Sequence, residues 1–270
     1  MQFTICAVAL ATPVPGDDFG LTMGWIKTTF HKTGSPRWFF TGARSWVVGL
    51  YVFGALLIVV GSTWGLGFVP PERLQGDSVR ILFIHAPAAH LAEAIYVAIA
   101  IAGFVFLVWR LKMADMLIQA AAPIGFVVTV LALATGIIWG IPTWGTGWVW
   151  DARTVSTLLL AFLFFGLVAL RQAIGRPDRA SRAVALLALV GVVNIPVIKY
   201  SVEWFTTLHQ PPSIEFGKKP AIAPVFLMPL AVNVLGFYCF VAGVVIAALR
   251  ARIVEREGGA QWLRDWISRS

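Results

Sequence analysis

The sequence predicts an all-α integral membrane protein of six transmembrane helices with both termini on the cytoplasmic side. Three observations lead there. Of 270 residues, 59% are hydrophobic and only 13% charged, against roughly 45–50% and about 25% in soluble domains. Six mostly apolar runs stand out, five of them long enough for a helix to cross a hydrocarbon core of about 30 Å and one somewhat short. The basic residues fall in the short connections between those runs, as the positive-inside rule requires.

The runs lie at 46–66, 84–109, 116–141, 154–170, 183–198 and 225–249. The fifth is short and contains Asn194 and Pro196, so a kink is expected near its outer end, with neighbouring helices covering the freed backbone groups. On this scheme Arg73, Arg80, Arg153, Lys199, Lys218 and Lys219 fall on one side, and the other fifteen of the twenty-one Lys and Arg residues on the other. The richer side is therefore cytoplasmic. The chain divides into a cytoplasmic N-terminal extension at 1–45, a membrane domain at 46–250 and a cytoplasmic tail at 251–270. Residues 1–13 are partly apolar but have no basic residue ahead of them, as a secretory signal would. A start at Met23 fits the pattern as well as one at Met1.

The net charge of +8 reads as topological rather than as a nucleic-acid footprint, since the basic residues cluster on no single face. Cys6 and Cys239 have no partner at metal-ligand or redox spacing, and no CxxCH attaches a covalent heme. A nucleophile elbow, a phosphate loop and a pair of outer carboxylates are all missing, so any coupling to nucleotide hydrolysis comes from a partner.

The unusual residues collect in the three outer segments. The second, at 139–153, carries Trp139, Trp144, Trp148 and Trp150 interleaved with Gly140, Gly145 and Gly147, and ends on Asp151. An interfacial aromatic belt explains tryptophans. It does not explain the glycines, which permit positive φ and let a flat ligand approach the backbone, nor the polar anchors Thr146 and Asp151. Both readings stand on composition alone. The first outer segment ends in His85, at the mouth of the second span; the third contains Trp204, Phe205 and His209. His90 is five positions past His85, about 140° around a helix, so the pair forms no metal face. His90 and Glu93 lie deeper, as candidates for a buried polar contact. His31 falls on the cytoplasmic side.

Two imidazoles flanking a flat aromatic bed meet the needs of a heme: axial nitrogen ligands, apolar walls and polar contacts for propionates. Zinc and other divalent metals want further His, Cys or carboxylate ligands that the outer segments do not offer at useful spacing. Arg80 and Arg153 have the charge and side for propionates, and equally for capping a helix or pairing with Asp77 or Asp151.

The strings WGTGWVWDAR at 144–153, SVEWFTTLHQ at 201–210, RILFIHAPAA at 80–89 and MADMLIQAAAPIG at 113–125 resemble the C component of cytochrome c maturation, the WWD-domain heme-handling family called heme exporter protein C, or CcmC. The similarity runs from about residue 46 to 250, with the motifs in order. It implies that the Trp-rich segment is the family's WWD domain and that His85 and His209 are the axial ligands of a non-covalent, transient heme b. By the same match Trp139, Trp144, Thr146, Trp148, Trp150 and Asp151 line the heme edge, with Trp204 among the neighbouring aromatics. Gly147 and Phe205 stand where relatives often carry Trp, each losing an indole N–H. The resemblance further implies a protein of the bacterial inner membrane that presents heme on its periplasmic face to the chaperone CcmE, in a complex with the ATP-binding CcmA and with CcmB and CcmD. Its surroundings are membrane lipids, and no nucleic acid is involved. A membrane oxidoreductase or a larger heme lyase fits less well, for lack of histidine pairs within the spans and of additional spans. A heme permease lacks a polar pathway across the midplane.

Overall fold

Where the chain is apolar for twenty or more residues, the bilayer leaves the backbone no partner but itself, and helices follow. The computed structural model describes residues 34–211, 217 and 219–268; the expected extension up to residue 33, with Cys6, Met23 and His31, and the outer Lys218 lie outside the described residues. Among the described residues the chain is helical: α1 Pro36–Thr63, α2 Leu82–Trp109, α3 Lys112–Trp144, α4 Ala152–Ala173, α5 Pro177–Gly191, α6 Asn194–Trp204, α7 Pro224–Glu257 and the short α8 Gln261–Ile267. Six helical stretches are long and apolar enough to cross a membrane, with α5 and α6 sharing the fifth, which makes this a multi-pass membrane protein.

The ends of the helices are written locally. Pro36, Pro177 and Pro224 open α1, α5 and α7, where a missing N–H costs nothing. Arg110 takes a left-handed φ of 56° and ends α2, leaving a two-residue connection into α3. Gly145, at φ 73°, ends α3 by donating its N–H to the Ile141 carbonyl at 3.0 Å.

The expected kink forms. Val192 and Val193 interrupt the fifth span, Pro196 has no N–H to give, and the buried Asn194 donates its side-chain amide to the Ser156 carbonyl of α4 at 2.8 Å. Beyond that break α6 runs to Trp204, six residues past the expected end at 198. The third span is also longer than expected, since α3 carries Pro142 in its last turn and reaches Trp144.

Helices α2, α3, α4, α5 and α7 form the body of the bundle, and α1 is strapped along α7. Small residues bring that last pair together. A Cβ on Gly236 would meet the Ile58 backbone nitrogen at 2.8 Å, Gly54 lies directly against the Phe240 backbone, and Ser62 donates to the buried Asn233 at 3.1 Å. In the body, Tyr96 and Phe164 meet edge to face at 5.1 Å and are fully buried.

At the end away from the Trp-rich segment, buried Asp115 in the first turn of α3 pairs with Arg171 of α4 at 3.2 Å and Arg256 of α7 at 3.6 Å. Nearby, α8 inserts Leu263 and sets Trp262 and Trp266 edge-on around Phe40, whose ring also receives the Arg250 guanidinium at 4.5 Å. These contacts fix one end of the bundle, and the elements that bear the unusual residues converge on the other.

Candidate functional site

His85 lies in the first turns of α2, and α3 passes beside it. Its Nδ1 is 3.0 Å from the Ala132 carbonyl and 3.1 Å from Thr135 Oγ1. A carbonyl can only accept, so Nδ1 carries the proton and Nε2 keeps its lone pair. The ring is walled in: a Cβ on Gly136 would approach Cε1 to 3.1 Å, and Trp139 meets it edge-on at 5.5 Å. Trp139 in turn donates Nε1–H to Gln75 Oε1 at 3.0 Å. Gln75 belongs to a loop built on Glu72, whose carboxylate accepts the N–H groups of Leu74 and Gln75 at 2.7 and 2.8 Å. Those bonds, from Gln75 first, hold the Glu72 carboxyl below its usual range.

His209 reaches the same end of α3 from the segment after α6. Its Nδ1 is 2.8 Å from Asp151 Oδ2 and 3.2 Å from Thr207 Oγ1, and Trp144 packs edge-on against its ring at 4.7 Å. Asp151 is buried and divides its two oxygens. Oδ1 accepts Thr154 N–H at 2.8 Å to cap α4, while Oδ2 receives both the Thr207 hydroxyl and His209. Burial alone raises the Asp151 carboxyl, but the bonds from Thr207, Thr154 and His209 outweigh it and bring it to about 2. Burial lowers the His209 imidazole, against the pull of Asp151. At neutral pH, then, an anionic Asp151 accepts from a neutral His209, whose Nε2 is left as a free base.

Both imidazoles therefore border the last turns of α3, His85 at Trp139 and His209 at Trp144. Among the described residues no hydrogen bond takes up either Nε2, and His85 lies within electrostatic reach of His209.

The family model of heme exporter protein C matches residues 29–264. The chain is 40% identical to the heme exporter protein C of Escherichia coli K12 over 239 residues, 88% of this chain and 96% of that one. It is 43% identical to the protein of that name from Bradyrhizobium diazoefficiens over 201 residues, 74% of this chain and 76% of that one. The chain belongs to the heme exporter protein C family.

In this family member the remaining Trp-rich residues are not equivalent. Trp148 is half-buried, meets Trp150 edge-on at 5.4 Å, and keeps its Nε1–H buried without a hydrogen-bond partner. Trp150 is 77% exposed. Exposed Thr146 shapes the turn, its hydroxyl donating to the Trp148 carbonyl at 3.1 Å. Trp204 stacks on Tyr200 at 5.4 Å, and among the described residues no ring contact or hydrogen bond joins it to either histidine.

Of Gly140, Gly145 and Gly147, only Gly145 takes the positive φ that glycine permits. A Cβ on Gly140 would meet the Thr146 carbonyl at 2.8 Å and one on Gly147 would meet Ile137 at 3.0 Å. These two let the segment fold back onto α3, and the approach they permit is that of the chain to itself.

The deeper polar contact is also rearranged, since His90 bonds the Tyr238 hydroxyl of α7 at 2.6 Å rather than Glu93. Arg80 donates to the Leu66 and Val69 carbonyls and pairs with Asp77 while its buried Nε keeps no partner, and Arg153 donates to Ser201 and the Lys199 carbonyl. Reading along the sequence missed Ala132, Thr135 and Gly136 on α3, which hold His85. A small residue one turn from a Thr on the same helix face was the only local sign of them.

Proposed function

We propose that this protein binds heme at the periplasmic face of the bacterial inner membrane and delivers it for cytochrome c maturation. His85 and His209 supply the axial nitrogens; Trp139, Trp144, Thr146, Trp148, Trp150 and Asp151 form the shelf, with Trp204 at its rim. The observation that carries this reading is the matched state of the two imidazoles. Each commits Nδ1 to an oxygen that can only accept, and each keeps Nε2 as a free base, the arrangement by which proteins orient histidine toward a metal. The unsatisfied indole N–H of Trp148 adds a polar contact. Among the described residues no three His, Cys, Asp or Glu side chains gather as a metal-ion site, so two histidines beside aromatic walls fit a porphyrin iron better than a bare cation.

The relatives' printed name supports heme as the cargo. The distribution of basic residues, fifteen against six, supports cytoplasmic termini and a periplasmic site. In this reading the heme is heme b, held without covalent attachment and passed to the chaperone CcmE. The chain works as a binding and transfer subunit alongside CcmA, CcmB and CcmD, with ATP hydrolysed by CcmA. The test is an absorption spectrum of the full chain purified in detergent with heme. The parent should give Soret and α/β bands of a six-coordinate low-spin heme, altered by either His85→Ala or His209→Ala. Parental spectra in both variants would overturn the assignment.

A further inference from the structure

The two candidate ligands are held by different means. His85 stands on helix α2, and its Nδ1 partner is a backbone carbonyl of α3, at Ala132, which is 1% exposed. With Gly136 against Cε1 and Trp139 at its edge, the ring has no room to turn unless α2 and α3 separate. Those helices are among the most extensively packed in the bundle. Moving His85 itself therefore means opening the core of the fold.

His209 stands on no helix or strand. Residues 206–211 are irregular, and among the described residues their backbone makes no backbone hydrogen bond. What fixes the imidazole is side chains: Asp151 Oδ2 at 2.8 Å, Thr207 Oγ1 at 3.2 Å and the edge of Trp144. Thr207 is itself bonded to Asp151 and accepts the His209 N–H at 3.1 Å, so one carboxylate gathers the whole turn. That carboxylate is rigid because α4 begins on it. The histidine can swing out with its segment while Asp151 stays where it is.

We infer that His85 is the fixed ligand and His209 the exchangeable one, with Asp151 the positioning residue that sets how long His209 remains on the iron. This rests on the heme-binding reading above and says which side of the iron opens for delivery. The exchange is balanced simply: the iron–Nε2 bond to His209 breaks, a bond to an incoming neutral nitrogen base forms, and the oxidation state does not change. His209 keeps its Nδ1 proton on Asp151 throughout. A receiving partner of matching chemistry offers an imidazole or similar base from the side of residues 205–211, where Phe205 and Leu208 are exposed at 52% and 51%.

The experiment uses the full heme-loaded chain in detergent with free imidazole as the probe. His209→Gly should retain heme in a five-coordinate high-spin state, and imidazole should restore the six-coordinate low-spin spectrum. His85→Gly should lose most of its heme. Asp151→Asn keeps a good helix cap but puts an amide beside His209; imidazole should displace His209 there on the order of ten- to a hundredfold faster than in the parent, the scale found when an outer partner of a metal-bound histidine is removed. A purely structural role for Asp151 would change thermal stability and leave that rate alone. Parental exchange kinetics in Asp151→Asn would overturn the inference, as would rescue by imidazole of His85→Gly but not of His209→Gly. A parent chain that takes up no heme would overturn the functional reading, and the inference with it.

Discussion

One carboxylate, that of Asp151, both starts helix α4 through Thr154 N–H at 2.8 Å and orients His209 at 2.8 Å across 58 residues of sequence. The shelf and the histidine therefore cannot be positioned independently of each other. Capping and ligand orientation are nonetheless separable by substitution. Asp151→Ala should lower stability by about 0.5–2 kcal/mol through the lost N-cap alone, while Asp151→Asn should keep the cap and lose only the anionic acceptor of Thr207 and His209. Unfolding of the heme-free proteins in detergent, followed by circular dichroism, measures both.

Acidification should destabilise the heme-free protein in two stages. His209 and Asp151 are both lowered on folding, the first by burial, the second by hydrogen bonds that outweigh burial. The unfolded chain thus takes up protons before the folded one, and stability falls as pH falls. The His209 contribution is complete above its ordinary 6.5 and declines below it. The Asp151 contribution is complete above 3.8 and declines toward about 2. In a melting series against pH, His209→Gln should lose less stability than the parent as pH falls below 6.5. Superimposable profiles would remove His209 from the account.

The strap of α1 on α7 depends on backbone contact at glycine. Gly236→Leu places a side chain where the Ile58 nitrogen lies 2.8 Å from a Cβ, and overpacking of this kind costs about 1–3 kcal/mol. Because α1 packs mainly on α7, its amides should exchange hydrogen faster in the variant while those of α2 and α3 keep their protection. Uniform change across all helices would point to global loss instead.

The opposite end of the bundle hangs on Asp115. Asp115→Asn leaves Arg171 and Arg256, whose side chains are 24% and 39% exposed, without their counter-charge. A double-mutant cycle with Arg171→Gln should show a coupling of about 0.5–3 kcal/mol, since the residues touch. Additive effects would mean that the ion pair contributes nothing net.

Much of this was readable from the chain. The six spans follow from apolar length and the α5–α6 break from Asn194 and Pro196. Less legible was where the shelf ends. Pro142 and the glycines argue for an early stop, yet α3 continues to Trp144, so Trp139 and Trp144 are helix residues and only Gly145 is a turn glycine. The pairing of His90 with Tyr238 instead of Glu93 had no sequence sign at all.

By itself the sequence determined that this chain spans a membrane six times and that two histidines frame a tryptophan-rich segment, because hydrophobic length and residue type belong to each stretch alone. Which oxygen takes the proton of each imidazole was decided only in three dimensions. The Ala132 carbonyl and the Asp151 carboxylate meet His85 and His209 through helix packing and chain return over 47 and 58 residues. No local pattern encodes such contacts, since they exist only once the intervening helices have packed.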